Sequence, residues 1–282
     1  MVGDRSGKGE KGRMQVMLFG GDMRTVRLAG CFERDGNGVF LWGLDKAGLP
    51  SAELGHVRDA DMLVLPYPCF DGELIRAPFG TERLSFDELC ALAGDRPVFA
   101  GAPGIAGKNG VKLFDYATER LLAQNARLTA EGALAIAVHE MPVSLSGAEI
   151  LVSGCGRIGR ELAVMLGALG ARVTILAWRQ ESIVWAQRHG CGLYRGGGLG
   201  SFDCVFNTVP RCVFDYGELS SAGEDCLFVE LASSPGGSDG ASARTLGLRL
   251  ICAPGLPGKT APATAAEIIY KEIMTLWETE EI

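Results

Sequence analysis

The sequence predicts an α/β protein made of two doubly wound parallel-sheet domains, the second a Rossmann dinucleotide-binding domain. Three observations carry this. Short apolar runs alternate with helical patterns along the chain, as parallel strands joined by crossover helices do. A strand–glycine–helix–strand unit stands mid-chain, from Ala148 to Ala177. And 282 residues suffice for about two domains of 100–200 residues each.

The mid-chain unit anchors the rest. Ala148-Glu149-Ile150-Leu151-Val152-Ser153 reads as a buried strand. The chain then turns through Gly154-x-Gly156-x-x-Gly159 into a helix, read over Glu161 to Leu169 and stopped by Gly170. A second strand follows, Arg172 to Ala177. In this context each glycine has a mechanical task. Gly154 makes the tight turn, Gly156 lets a pyrophosphate approach the backbone, and Gly159 lets helix and strand pack closely. The helix N-terminus offers unpaired N–H groups and a positive dipole end to phosphate. Arg157 and Ile158 lie inside this motif.

The end of the second strand selects the nucleotide. An NAD site places Asp or Glu there, about 20 residues after the glycines, to hold the ribose 2′-hydroxyl. This chain has Trp178-Arg179-Gln180-Glu181-Ser182. A guanidinium at the tip suits a 2′-phosphate and stacks on adenine, and Ser182 adds a hydroxyl donor. Glu181 falls in the first turn of the next helix, where acids are favoured anyway. The expectation is NADP rather than NAD.

Composition narrows the class. The chain is 47% hydrophobic and 22% charged, with a net charge of −7. No apolar stretch approaches the ~20 residues that span a bilayer, and no signal-peptide pattern opens the chain. Without a basic run outside the tail, nucleic-acid and anionic-membrane binding are disfavoured. Nine cysteines, an odd number without a C-x-x-C pair, read as reduced, buried thiols of a cytoplasmic protein. Three scattered histidines give no metal-ligand spacing, so no metal is expected.

In chain order, 1–13 is polar and glycine-rich and reads as a flexible tail. Residues 14–125 read as a flavodoxin- or Rossmann-like substrate domain. Its strands are Met14–Phe19, Gly38–Trp42, Asp61–Pro66 and Pro97–Ala100, with an amphipathic stretch to Phe32 and a helix from Ser85 to Ala93. A Pro/Gly-rich loop spans Tyr67 to Thr81. Val111 to His139 reads as largely helical, ended by Pro142. Residues 126–262 read as the NADP domain, adding helix Ser182–His189 and strands Cys204–Pro210, Cys226–Ala232 and Leu248–Ala253. Residues 263–282 read as a C-terminal helix returning to the first domain. In open α/β sheets, ligands bind beyond the carboxyl ends of the strands. The tips Asn207–Pro210, Ser233–Gly237 and Pro254–Thr260 lie there.

Several motifs then converge. Gly20-Gly21-Asp22-x-Arg24, Asn125-x-x-x-Thr129-x-Glu131-Gly132, Gly154-x-Gly156-Arg157-x-Gly159 and Asn207-Thr208-x-Pro210 are four of them. Leu231-Ala232-Ser233-x-Pro235-Gly236-Gly237 and Ala253-Pro254-Gly255-Leu256-Pro257-Gly258 are the others. Together, from about 14 to 275, they resemble the dipicolinate synthase A-subunit family. The resemblance implies a two-domain protein similar in plan to alanine dehydrogenases. It implies a pyridine-nucleotide oxidoreductase of spore-forming bacteria, oxidising dihydrodipicolinate to dipicolinate in the mother-cell cytoplasm together with a flavoprotein-like B subunit. The cofactor set becomes Gly154, Gly156, Arg157, Ile158, Gly159, Trp178, Arg179, Ser182, Asn207, Thr208, Pro210, Ala232, Pro254, Gly255 and Leu256. For the small dicarboxylate the set is Gly21, Asp22, Arg24, Asn125, Thr129 and Lys259, placed in a cleft between the domains. Arg24 is the first carboxylate clamp, because a guanidinium binds carboxylate bidentately. Glu131 orients Arg24 or acts as base, and Lys259 meets a second carboxylate. Glu131 and Lys259 are the catalytic candidates. Two readings from other classes stand beside it: another NADP-dependent imino- or amino-acid dehydrogenase, and a non-catalytic NADP-binding subunit that regulates or scaffolds a partner.

Overall fold

The computed structural model describes residues 13–102 and 110–279. The tail at 1–12 lies outside the described residues. The chain divides into two compact units, Met1–Leu121 with Pro262–Ile282, and Leu122–Ala261.

The first unit opens with β1 (Gln15–Phe19), α1 (Met23–Arg34), β2 (Gly38–Trp42) and β3 (Met62–Val64). It continues through β4 (Phe70–Asp71), β5 (Leu74–Ile75), α2 (Phe86–Ala93), β6 (Val98–Ala100) and β7 (Leu113–Asp115). Five strands form one parallel sheet in the order β2-β1-β3-β6-β7. The apolar runs are continuous because both faces are covered. Period-two alternation sends Val16 and Leu18 to one core and Met17 and Phe19 to the other. Ser85 starts α2 through a capping box with Glu88. The Tyr67–Thr81 loop contains a short antiparallel pair, β4 with β5.

α3 (Glu119–Glu140) leads into the second unit. There follow β8 (Glu149–Ser153), α4 (Arg157–Ala168), β9 (Arg172–Leu176), α5 (Gln180–Arg188), β10 (Gly192–Leu193) and β11 (Cys204–Asn207). The unit ends with α6 (Tyr216–Leu219), β12 (Leu227–Glu230), α7 (Gly240–Thr245), β13 (Arg249–Cys252) and α8 (Leu256–Thr260). All six strands are parallel, in the order β10-β9-β8-β11-β12-β13. Counted within the unit this is 3-2-1-4-5-6, the Rossmann order, with its switch point between β8 and β11. Finally α9 (Pro262–Thr279) returns to the first unit, where Ala266, Ile269, Tyr270 and Ile273 join a core with Leu28 and Phe32 of α1.

Four expectations need correction. Val111 to Asp115 is not helical: Leu113–Asp115 is the edge strand β7, paired with Val98–Ala100, and the helix begins only at Glu119. The helix after the glycine turn starts at Arg157, not Glu161, so the turn abuts it directly. The Pro254–Thr260 tip is not all loop, because Leu256–Thr260 forms α8. Pro257 falls in its first turn, where a missing N–H costs nothing. None of the nine cysteines forms a disulfide, but Cys212 and Cys252 are exposed, which corrects the reading of buried thiols for these two. Among the described residues no helix is long and apolar enough to cross a membrane.

Candidate functional site

The second unit builds its site at the switch point. β8 ends in fully buried Ser153, and Gly154 follows at φ +97°, a conformation that disfavours side chains. A Cβ on Gly154 would lie 2.3 Å from the Thr208 hydroxyl. Thr208 in turn donates to the Ser153 carbonyl at 2.8 Å, so the glycine turn and the Asn207–Pro210 tip interlock. A Cβ on Gly159 would lie 2.3 Å from the Gly154 carbonyl oxygen, which is the close packing read from the sequence. Gly156 is different. It is the N-cap of α4, has no side chain to fill that role, and a Cβ there would meet nothing within 4 Å. The helix end therefore faces open space with its amides unanswered by a cap side chain.

That space is a cleft of ≈ 710 Å³. Gly154, Gly156, Arg157, Trp178, Arg179, Ser182, Thr208 and Pro210 line it, as read from the sequence. Six further residues were missed: Cys155, Arg160, Ala177, Glu181, Val209 and Arg211. Arg160 stands one helical turn beyond Gly156 and lies 5.3 Å from the Trp185 ring centroid. Arg211 directly follows Pro210 and stacks at 4.7 Å over Trp178. Four guanidiniums against one carboxylate, Glu181, make the cleft cationic. Glu181 sits 3.8 Å from Arg179 in an exposed pair. An open glycine cradle, a free helix end and a cationic wall fit a dinucleotide.

The neighbouring tips are tied by a residue the sequence reading missed. Glu230, at the end of β12, is only 6% exposed. One carboxylate oxygen accepts from the Asn207 amide at 2.7 Å and from Ala232 N at 3.0 Å. The other accepts from Gly237 N and Ser238 N, each at 3.0 Å. Four donors satisfy a buried carboxylate that has no cationic partner among the described residues, and in doing so join the second tip to the first. An acid inside the apolar run Cys226–Ala232 was the available signal. Asn207 is itself buried, its amide also bonded to Val209. Leu256 is buried against Gly132, where a Cβ would meet it at 3.0 Å. Both side chains therefore serve packing, and what they offer outward is backbone. Ile158 packs partly into the same core, while Pro254, Gly255 and Lys259 are exposed.

In the first unit, Gly20 and Gly21 follow β1 at φ +49° and +83°. Gly21 N donates to the Arg76 carbonyl at 2.7 Å, and a Cβ on Gly21 would strike Thr25 and Pro66. Asp22 caps α1. Its carboxylate also accepts two bonds from the Arg24 guanidinium, at 2.8 and 2.7 Å. Arg24 is 4% exposed and lies 5.8 Å from the Tyr67 ring centroid. Burial alone would push the Asp22 carboxyl up. The hydrogen bonds and charge of Arg24, with the charge of Arg76, outweigh it and hold the group below the ordinary 3.8. Hence the acid that orients Arg24 is Asp22, which corrects the reading of Glu131. Glu131 pairs instead with Arg127 at 3.5 Å on the surface of α3. The Thr129 hydroxyl donates to the Asn125 carbonyl at 2.8 Å, within the helix.

No family model matches the chain. Among curated proteins it is 26% identical to the A subunit of dipicolinate synthase from Bacillus subtilis (strain 168), over 93% of this chain and 95% of that protein. Among solved structures, the dipicolinate synthase A subunit from Bacillus halodurans superposes with a TM-score of 0.78 at 23% identity. That match covers 94% of this chain and 99% of the other. The transhydrogenase from Sinorhizobium meliloti gives 0.63 at 17% identity, covering 94% of each chain. The parallel-sheet fold is thus shared with these two structures, and along nearly its whole length the chain is similar to the A subunit of dipicolinate synthase.

Proposed function

We propose that this chain is an NADP-linked oxidoreductase that converts dihydrodipicolinate to dipicolinate (pyridine-2,6-dicarboxylate). It would do so as one half of a two-component synthase, with a flavoprotein-like B subunit, in the mother-cell cytoplasm during sporulation. The observation that carries the reading is the cationic glycine-loop cleft, found in a chain similar over nearly all its length to the dipicolinate synthase A subunit.

The cofactor, when bound, supplies a hydride acceptor; the chain supplies positions and charges. Gly156 gives the pyrophosphate its approach, Gly154 and Gly159 keep the turn tight against the helix, and Arg157 and Arg160 balance its charge. Trp178, Arg179 and Ser182 hold the adenosine ribose end. Thr208, Pro210, Ala232, Pro254 and Gly255 shape the nicotinamide side, kept in register by the Asn207–Glu230 bond. Aromatisation of the dihydropyridine ring drives hydride loss, so the main demands are to align two rings and anchor two carboxylates. Arg24 is preset by Asp22, which leaves Arg76 as a second guanidinium beside the Gly20–Asp22 turn, bonded to it through its own carbonyl. Arg24 and Arg76 therefore answer one carboxylate between them and leave net positive charge for substrate. Asn125, Thr129 and Lys259 complete the substrate set, with Lys259 for the second carboxylate. The ring proton goes to a base, for which Glu131 and Lys259 are the candidates.

The test supplies freshly made dihydrodipicolinate with NADP, with and without the B-type partner. The ultraviolet absorbance of dipicolinate is followed. Product above the spontaneous oxidation rate is expected. Turnover of common 2-oxo acids instead would replace the substrate assignment, and NADP binding with no hydride transfer in any mixture would leave a regulatory role.

A further inference from the structure

We propose that Arg211, stacked on Trp178, is a specificity-determining guanidinium for the 2′-phosphate of the adenosine end. The inference rests on the dinucleotide reading and adds a residue from a different loop to it. Arg179 at the strand tip is not decisive alone, because Glu181 shares the cleft 3.8 Å away and a carboxylate there suits a free ribose 2′-hydroxyl.

Arg211 comes from the loop after β11, across the switch point from β9. Its guanidinium carbon lies 4.7 Å from the centroid of the Trp178 ring, and Trp178 is 51% exposed. Among the described residues no carboxylate forms an ion pair with Arg211. Its charge is held by an aromatic face rather than by an acid, so its N–H donors remain available to an anion. The placement is also right for one. A second cavity of ≈ 560 Å³ adjoins the main cleft, and the two share Ala177, Trp178 and Arg211 as their common border. Tyr194, Val213 and Phe214 give the second cavity one aromatic and apolar wall, while Arg195 and Glu218, the latter accepting from the Tyr194 hydroxyl at 3.2 Å, make the rest polar. A purine fits such walls. A phosphate on the ribose between the two cavities meets Arg179 from one side and Arg211 from the other.

The experiment uses the full chain and two fragments, 2′,5′-ADP and 5′-AMP, which differ only in the 2′-phosphate. Binding is read by calorimetry and by Trp178 emission, with Trp178→Phe as the spectral control. The wild type is expected to prefer 2′,5′-ADP by about tenfold or more, the scale of charge-assisted hydrogen bonds. Arg211→Ala should remove most of that preference by weakening 2′,5′-ADP far more than 5′-AMP, with the melting temperature unchanged. Arg211→Lys should restore it only in part, since a point charge lacks the planar fork. An Arg211→Ala protein that keeps the full preference, or loses affinity for both fragments equally, overturns the proposal. Failure of both fragments to bind the wild type overturns it together with the dinucleotide reading. Binding as expected with no oxidation of dihydrodipicolinate removes only the reaction and leaves Arg211 in place.

Discussion

The two units solve the same problem differently at the first turn of each sheet. Both open with a buried strand, pass through glycines and start a helix, α1 or α4. In the first unit the helix end is filled from within, since Asp22 caps α1 and pairs with buried Arg24. In the second, Gly156 occupies the same cap position with no side chain, and nothing lies within 4 Å of where a Cβ would be. One carboxymethyl group thus separates a helix end that satisfies its own amides from one that leaves them for a phosphate. Topology alone does not make a dinucleotide site. The cap residue and the charge around it do.

The largest effect should come from erasing that difference. Gly156→Asp would give α4 the self-capped end of α1, and Gly156→Val would fill the space without charge. Both should abolish NADP binding, yet circular dichroism and melting temperature should hold, since the site is open and φ is −82°. Wild-type affinity in either variant would place the pyrophosphate elsewhere.

Next come the devices that hold the strand tips, a carboxylate bonded to neutral donors in the second unit and an ion pair in the first. Glu230→Ala leaves four N–H donors without their acceptor, two of them in buried bonds. A loss of about 3–5 kcal/mol is expected in denaturant unfolding, less than the sum of four penalties because the loop can relax toward water. Asp22→Asn keeps a capping oxygen but leaves buried Arg24 unpaired. It should cost about 3 kcal/mol, the low end of the range because the carboxylate is partly exposed.

This second comparison has a pH signature. The folded Asp22 carboxyl is held below 3.8, so its stabilisation is full above that value and is lost as pH falls through the lower, folded one. The stability gap between wild type and Asp22→Asn should be flat near neutrality and close below pH 3.8. A gap that persists in strong acid would show that the variant fails for a reason other than charge.

The smallest effect is on cofactor choice. Arg179→Asp should cost about 1–3 kcal/mol in NADP binding and narrow its preference over NAD, as measured by calorimetry. Equal affinity of the wild type for the two cofactors would remove the expectation altogether.

The sequence by itself determined the parts whose information is local. The run Glu149–Ser153, the glycine triplet and the strand Arg172–Leu176 lie within about one βαβ unit, so hydrophobic period and turn chemistry suffice to read them. The helix read from Ser85 to Ala93 is there with Ser85 as its cap, whereas Asp22, read for the substrate, caps α1. Tertiary structure decided what depends on distant partners. Leu113–Asp115 is a strand because Val98–Ala100 offers an edge to pair with, and a three-residue segment has no period of its own. Arg24 takes Asp22 rather than Glu131 because a two-residue neighbour at a helix cap meets it with no chain closure to overcome. Arg160 and Arg211 become one cationic wall only when β8 and β11 pair across the switch point. Glu230 looks in sequence like an acid misplaced in an apolar strand. Only the fold supplies its donors, because Asn207 stands on the adjacent strand and Gly237 and Ser238 return over the top of their own.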